Sequence, residues 1–182
     1  MKKFELTSEF ITNVWGVKLF RIKALVEFGN VEKGELGGYV EKEENLSHSG
    51  NAWVYGNARV YGNAWVYGNA RVYGNARVYG NAWVYGNARV YGNAMVYGDA
   101  EVYGNARVYG NADYTTAKGF GSEYRTTTFF KQKDKSIGVR CGCFYGTIDE
   151  FRDKVKETHG ESKLAKEYIM LADLMEYHFK EE

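Results

Sequence analysis

Between Gly50 and Thr115 one six-residue phrase recurs without interruption, and few folds can accommodate that period. It opens as GNAWVY at Gly50 and GNARVY at Gly56, passes through GNAMVY and GDAEVY, and closes on GNADYT, eleven hexads in register. A fixed short period marks a stacked, quasi-one-dimensional architecture, because one unit is too small to bury its own apolar face. Within a hexad the side chains alternate as in a strand. Ala58 and Val60 share one face, Arg59 and Tyr61 the other. The compact apolar pair reads as the interior. Gly62-Asn63 reads as a corner, because both residues tolerate positive φ. Three such corners close a triangular coil every eighteen residues, and coils stack by parallel pairing about 4.8 Å apart.

An aliphatic residue followed four positions later by a small one, as in Val54 with Ala58 and Val60 with Ala64, resembles the hexapeptide repeat of the left-handed parallel β-helix family. The left hand is what this resemblance implies. The family's small or acidic residue after the aliphatic one is replaced here by Tyr, on the outer surface. Carried backward, the phase puts a corner at Gly38, Val40 and Leu46 at the Ala position, and His48 facing inward at the Val position. The expected fold is mainly β: a left-handed parallel β-helix of about four coils over residues 38–115, preceded by an N-terminal β cap over 1–37.

Lys3 to Leu6 and Val17 to Leu25 read as cap strands that block edge pairing at the open end of the coil. After Thr115 the period stops. Residues 116–182 read as a small β-β-α-α domain: strands over 122–131 and 136–144 form a hairpin. Thr147-Ile148-Asp149-Glu150 is a capping box opening a helix that ends near His159-Gly160. Ser162 caps a second helix with Leu164, Tyr168, Leu171, Ala172 and Met175 on its buried face. Cys141 and Cys143 are placed on one side of a strand as free thiols.

Wrapping at eighteen residues sorts the variable position into three outward columns: Trp53, Arg71, Arg89, Arg107; Arg59, Arg77, Met95, Asp113; and Trp65, Trp83, Glu101. Tyrosines form three parallel ladders. One reading of the ladders is strand propensity and self-stacking; the other is an interface, because large exposed apolar patches mark contact surfaces. Trp65, Trp83 and Trp53 are the expected oligomer contacts, and the resemblance implies trimers built through the flat faces. Guanidinium beside Tyr suits a phosphate and a stacked base, so Arg71, Arg89, Arg107, Tyr73, Tyr91, Arg59 and Arg77 are the candidate ligand residues. The alternative is a merely solubilising column. Five repeat arginines against Asp99, Glu101 and Asp113 are too small an excess for duplex nucleic acid.

Many proteins of the resembled family are acyltransferases. This chain has no loop extruded from its repeats, and His48, His159 and His178 are scattered. There is no zinc-ligand spacing, Walker loop or dinucleotide fingerprint, so no catalytic, metal or cofactor site is expected. A net charge of +1, no signal-type leader and no long apolar run suggest a cytoplasmic protein without a membrane span. The stretches LGGYVEKEENLS, CGCFYGTIDEF and KVKETHG resemble bacteriophage and prophage proteins, which implies a phage-infected host cytoplasm. The expected function is non-enzymatic: a homotrimer sequestering a nucleotide-like anion against host defence. The alternatives are a module that inhibits or scaffolds a host or phage protein, and an acyltransferase.

Overall fold

The structure, a computed structural model, describes residues 2–180 and contains two compact units, one ending at Asn111 and the other beginning at Ala112. The first unit opens with three antiparallel strands, β1 (Phe4–Thr12), β2 (Lys18–Ala24) and β3 (Leu36–Val40). Ten two-residue strands, β4 to β13, then follow at six-residue spacing from Trp53–Val54 to Arg107–Val108. Every third strand pairs in parallel. Thus β4, β7 (Arg71–Val72), β10 (Arg89–Val90) and β13 make one sheet, and β6 (Trp65–Val66), β9 (Trp83–Val84) and β12 (Glu101–Val102) a second. The third continues from β3 through β5 (Arg59–Val60) and β8 (Arg77–Val78) to β11 (Met95–Val96). Each coil therefore gives one strand to each of three faces, and the unit is a parallel β-solenoid of about four coils.

The hexad sets this geometry residue by residue. Every repeat Ala and Val from Ala52 to Val108 is at most 1 % exposed, and burying one Val contributes roughly 1.5–3 kcal/mol. The alternate residues carry the ladder. Asn69, Arg71 and Tyr73 donate their N–H groups to the carbonyls of Gly86, Ala88 and Val90 at 2.8, 2.9 and 3.0 Å. The repeat glycines from Gly50 to Gly104 hold φ between 57° and 71°, a region costly for any residue with a Cβ. The residue after each of them, Asn or in one case Asp99, is not among the positive-φ residues, so Gly alone turns the corner.

The first coil is phased differently from the backward extrapolation. Val40 pairs with Val60 and Leu46 bridges to Val66, both twenty residues apart rather than eighteen. Two extra residues between Leu46 and Ala52 shift the phase, so Val40 and Leu46 occupy Val positions. Gly38 lies inside β3, where a Cβ would stand 2.6 Å from the Ala58 carbonyl oxygen. Its role is close approach, not a corner. His48 sits on the inserted stretch rather than pointing inward. It is half-buried, stacks on Phe4 at 4.4 Å, and accepts the Lys3 N–H at Nδ1 at 3.2 Å.

The end of the solenoid is closed by side chains. The incomplete first coil gives backbone N–H groups to the Ala58, Val60 and Val66 carbonyls but leaves other first-repeat carbonyls to be met by side chains, and an unsatisfied buried carbonyl costs roughly 1–3 kcal/mol. Lys3 Nζ donates to the Gly50 and Ala52 oxygens at 3.3 and 2.8 Å. The fully buried Asn45 amide donates to those of Gly62 and Ala64 at 3.0 and 2.8 Å. At the far end Asn111 Oδ1 accepts the Met95 N–H at 2.9 Å.

The second unit is a four-stranded antiparallel sheet in the order β14 (Tyr114–Ala117), β15 (Thr127–Lys131), β16 (Ile137–Cys141), β17 (Phe144–Thr147). Helices α1 (Ile148–His159) and α2 (Lys163–Phe179) follow, and Phe129, Val139, Phe151, Val155, Leu171 and Met175 share its core. The capping box forms as the sequence implies, with Glu150 Oε2 accepting the Thr147 N–H at 2.7 Å. Two strands flank the expected hairpin, one of them hidden in the last hexad. Tyr114 pairs with Phe130 in this sheet, and Asp113 is 3.3 Å from Lys131, so neither continues the solenoid columns. Cys141 and Cys143 do not share a strand face. Gly142, at φ 57°, turns the chain between them.

Candidate functional site

The sheet of β4, β7, β10 and β13 stacks Trp53, Arg71, Arg89 and Arg107 in one register. Hexad order puts an Asn two residues before each Arg and a Tyr two residues after. The guanidinium column therefore runs between a column of amides and a column of phenols. Two adjoining grooves open along it. One, of about 430 Å³, is lined by Asn30, Tyr55, Arg71, Tyr73 and Arg89. The other, of about 310 Å³, adds Asn51, Asn69, Asn87 and Arg107.

Trp53 departs from its expected place. Its side chain points off the coil, yet it is fully buried, because Phe28 meets it edge-on at 5.3 Å and Phe4 at 6.1 Å. It cannot serve as an oligomer contact. Instead it anchors the N-terminal segment on this face. Phe28 and Val31 exchange two backbone hydrogen bonds, at 3.1 and 2.9 Å, and the tight turn between them carries Asn30 into the groove. The sequence marks Phe28-Gly29-Asn30 as a turn; nothing local shows where that turn lands.

The groove is electropositive. Among the described residues Arg71, Arg89 and Arg107 take no carboxylate partner. Two unit charges one coil apart repel by roughly 1 kcal/mol in water and about 3 kcal/mol in a partly buried setting. Burial lowers the Arg107 pKa from its ordinary value, and the neighbouring Arg89 charge lowers it further. Arg107 meets this by donating to the Asn87 and Ala106 carbonyls at 3.1 and 3.0 Å. A negative charge placed in the groove would relieve the remaining repulsion. Burial raises the Tyr55 pKa, with Glu35 acting in the same sense and Arg71 and Arg89 opposing, so its hydroxyl stays protonated as a donor at neutral pH.

The structure divides the sequence-predicted ligand residues between faces. Arg71, Arg89, Arg107, Tyr73 and Tyr91 share the groove face, whereas Arg59 and Arg77 pair across β5 and β8 on another. There the neighbouring Tyr61 is buried among Leu19, Tyr39 and Trp15. The third face carries the exposed Trp65 and Trp83, edge-to-face at 5.9 Å, with Trp65 also stacked on Tyr67 at 4.1 Å.

The comparisons with known proteins meet the chain in these repeats. Residues 52–68, 70–86, 88–102 and 100–112 match the family described as YdcK beta solenoid repeat. The chain is a β-solenoid repeat protein. No curated protein matches it. The likeness covers the β-solenoid repeats and stops at residue 112, where the second unit begins.

That unit has a cavity of about 280 Å³ lined by Arg125, Cys141, Cys143, Phe151, His159 and Tyr168, among others. Cys141 and Tyr168 are tied into one hydrogen-bonded chain. Thr127 donates to the Cys141 sulfur at 3.2 Å, the thiol faces the Tyr168 oxygen at 3.9 Å, and Tyr168 donates to the Phe120 carbonyl at 3.4 Å. Burial, then the adjacent Cys141, pushes the Tyr168 hydroxyl up to about 12, so it is a donor and no base at neutral pH. The His159 ring stacks on Tyr168 at 5.9 Å. Among the described residues no cluster of His, Cys, Asp or Glu could hold a metal, and no helix is long and apolar enough to cross a membrane.

Proposed function

We propose that this β-solenoid is a non-enzymatic binding protein whose ligand is a nucleotide-like anion held over Arg71, Arg89 and Arg107. The observation carrying this reading is the groove itself. Three guanidiniums stand in register with no carboxylate ion-paired to them among the described residues, flanked by phenol and amide hydrogen-bonding groups. In that setting an anion gains charge-assisted hydrogen bonds and offsets repulsion already present in the free protein. The phage-like stretches at both ends of the repeat suit sequestration of a host defence signal in the infected cytoplasm. A homotrimer, by analogy with the hexapeptide-repeat family, would cover the exposed Trp65 and Trp83, which are 38 and 42 % accessible in the single chain. The same aromatic face favours a second reading, a module that grips a host or phage protein.

Titration calorimetry with ATP as the probe, on the full chain at about 0.1 M salt, tests the first reading. Binding is expected, weakening about tenfold or more when Arg71 and Arg89 are both changed to Gln, and weakening further as salt rises. Unchanged affinity in that double variant, or no ATP binding by the native chain, overturns the assignment. Native mass spectrometry of the same samples checks for a trimer.

A further inference from the structure

The tyrosine ladders decide where an aromatic group can go. Successive rings within them stack on one another: Tyr61 on Tyr79 at 5.0 Å and 2°, Tyr67 on Tyr85 at 4.6 Å and 6°, Tyr73 on Tyr91 at 5.0 Å and 7°. Tyr79 and Tyr97 continue at 5.3 Å, Tyr85 and Tyr103 at 4.4 Å, and Tyr91 meets Tyr109 edge-on at 5.2 Å. A third ring slipped between two others needs them about 7 Å apart, twice the carbon–carbon contact distance. These pairs are too close. At separations of 4.4 to 5.3 Å a base cannot intercalate between them.

One step differs. Tyr55 and Tyr73 are successive members of a ladder, and their backbones are bonded coil to coil through Tyr55 N–H and Val72 O at 2.8 Å. Among the described residues these two rings are the only ladder neighbours that make no ring contact. Both line the 430 Å³ groove, together with Arg71, Arg89 and Asn30. The break falls on the coil where Trp53 replaces Arg and where the Phe28–Val31 turn is seated.

We infer that Tyr55 and Tyr73 form an aromatic slot for the single base of a nucleoside polyphosphate, whose phosphates run along Arg71 and Arg89 towards Arg107. The inference rests on the anion reading of the groove and adds what that reading lacks, a reason to prefer a nucleotide over a bare polyanion. Asn30 stands at the rim with an amide that both donates and accepts, which matches the edge of a base. The polarity follows from the layout. The slot lies at the Trp53 end of the column, so the charged tail has only one direction in which guanidiniums continue. Stacking of one base is worth roughly 5- to 100-fold in affinity.

The test compares ATP with inorganic triphosphate on the full chain, with Tyr55→Leu and Arg107→Gln alongside. ATP is expected to bind roughly 5- to 100-fold more tightly than triphosphate. Tyr55→Leu should bring ATP down to the triphosphate level without moving triphosphate, and Arg107→Gln should weaken both probes. Equal affinity of the native protein for the two probes overturns the slot while leaving the anion groove standing, and needs no variant to fold. A Tyr55→Leu loss of equal size for both probes also overturns it. Binding of neither probe removes the groove reading itself.

Discussion

The corner glycines offer a controlled perturbation, because the same residue in the same conformation meets different surroundings along the array. Gly86 and Gly98 have φ of 68° and 67°. A Cβ on Gly86 would lie 2.8 Å from the Gly104 nitrogen and 3.2 Å from its Cα, whereas one on Gly98 would have nothing within 4 Å. Gly98→Ala should therefore cost only the left-handed conformation, roughly 1–2 kcal/mol. Gly86→Ala carries that cost plus the clash. Both obstructing atoms are backbone, so the coil must move by several tenths of an ångström, and overpacking of this kind costs about 1–3 kcal/mol more. Lost unfolded-state entropy stabilises both variants alike and cancels in the comparison.

Urea unfolding followed by far-ultraviolet circular dichroism measures the difference. The expected order is native, then Gly98→Ala, then Gly86→Ala, with the last two separated by about 1–3 kcal/mol. Gly86→Ala should also broaden the transition, because a spread interface between two coils weakens their nearest-neighbour coupling. Equal destabilisation, within about 0.5 kcal/mol, would refute the argument that glycine is required for coil-to-coil approach and leave only its φ.

Two further outcomes follow from the caps. Burial lowers the Lys3 ammonium to about 8 in the folded chain against 10.5 unfolded, so below pH 8 both states are charged and the burial cost is fully present. Between pH 8 and 10.5 the unfolded state binds more protons, and stability rises, by about 1–2 kcal/mol after solvent screening. Comparing chemical denaturation of the native chain with Lys3→Met across that window should show the rise only in the native protein; parallel profiles would remove the Lys3 argument. In the second unit, Thr147→Ala should cost about 1 kcal/mol and Thr147→Ser almost nothing, since the Thr147 oxygen accepts the Glu150 N–H at 3.3 Å. A Ser variant as weak as Ala would mean that packing and not capping holds that end of α1.

The solenoid was legible because its cause is local: each Val and Ala faces inward by alternation, and each Gly turns a corner six residues on. The Arg71–Arg89–Arg107 column was legible for the same reason, being simple wrapping at eighteen. What the sequence concealed depends on contacts across long separations. Two extra residues near His48 shift the phase of the first coil, and no periodic reading can see an insertion inside a degenerate repeat. Trp53 obeys the outward rule of the hexad and is nevertheless buried, because Phe28 arrives from an unrelated segment. Gly37 was the available hint that a second segment also closes over Trp53: a Cβ on it would stand 2.8 Å from the Trp53 ring. The edge strand at Tyr114 was masked by its resemblance to one more repeat.

Near-identical hexads thus acquire different roles from what covers them. Arg59-Val60-Tyr61 and Arg71-Val72-Tyr73 are the same three residues in the same backbone, yet Tyr61 is buried under the N-terminal hairpin while Tyr73 lines a groove. The break in stacking at Tyr55 and Tyr73 lies beside the Phe28–Val31 turn, the non-repetitive element on that face. Repetition supplies the charge column, and the N-terminal segment covers its one non-arginine step, at Trp53, beside the break between Tyr55 and Tyr73. On this logic, inserting one further eighteen-residue coil after Val90 would lengthen the run of guanidiniums without creating a second aromatic slot. Affinity for a longer polyphosphate would then rise while the number of bases bound per chain stayed at one.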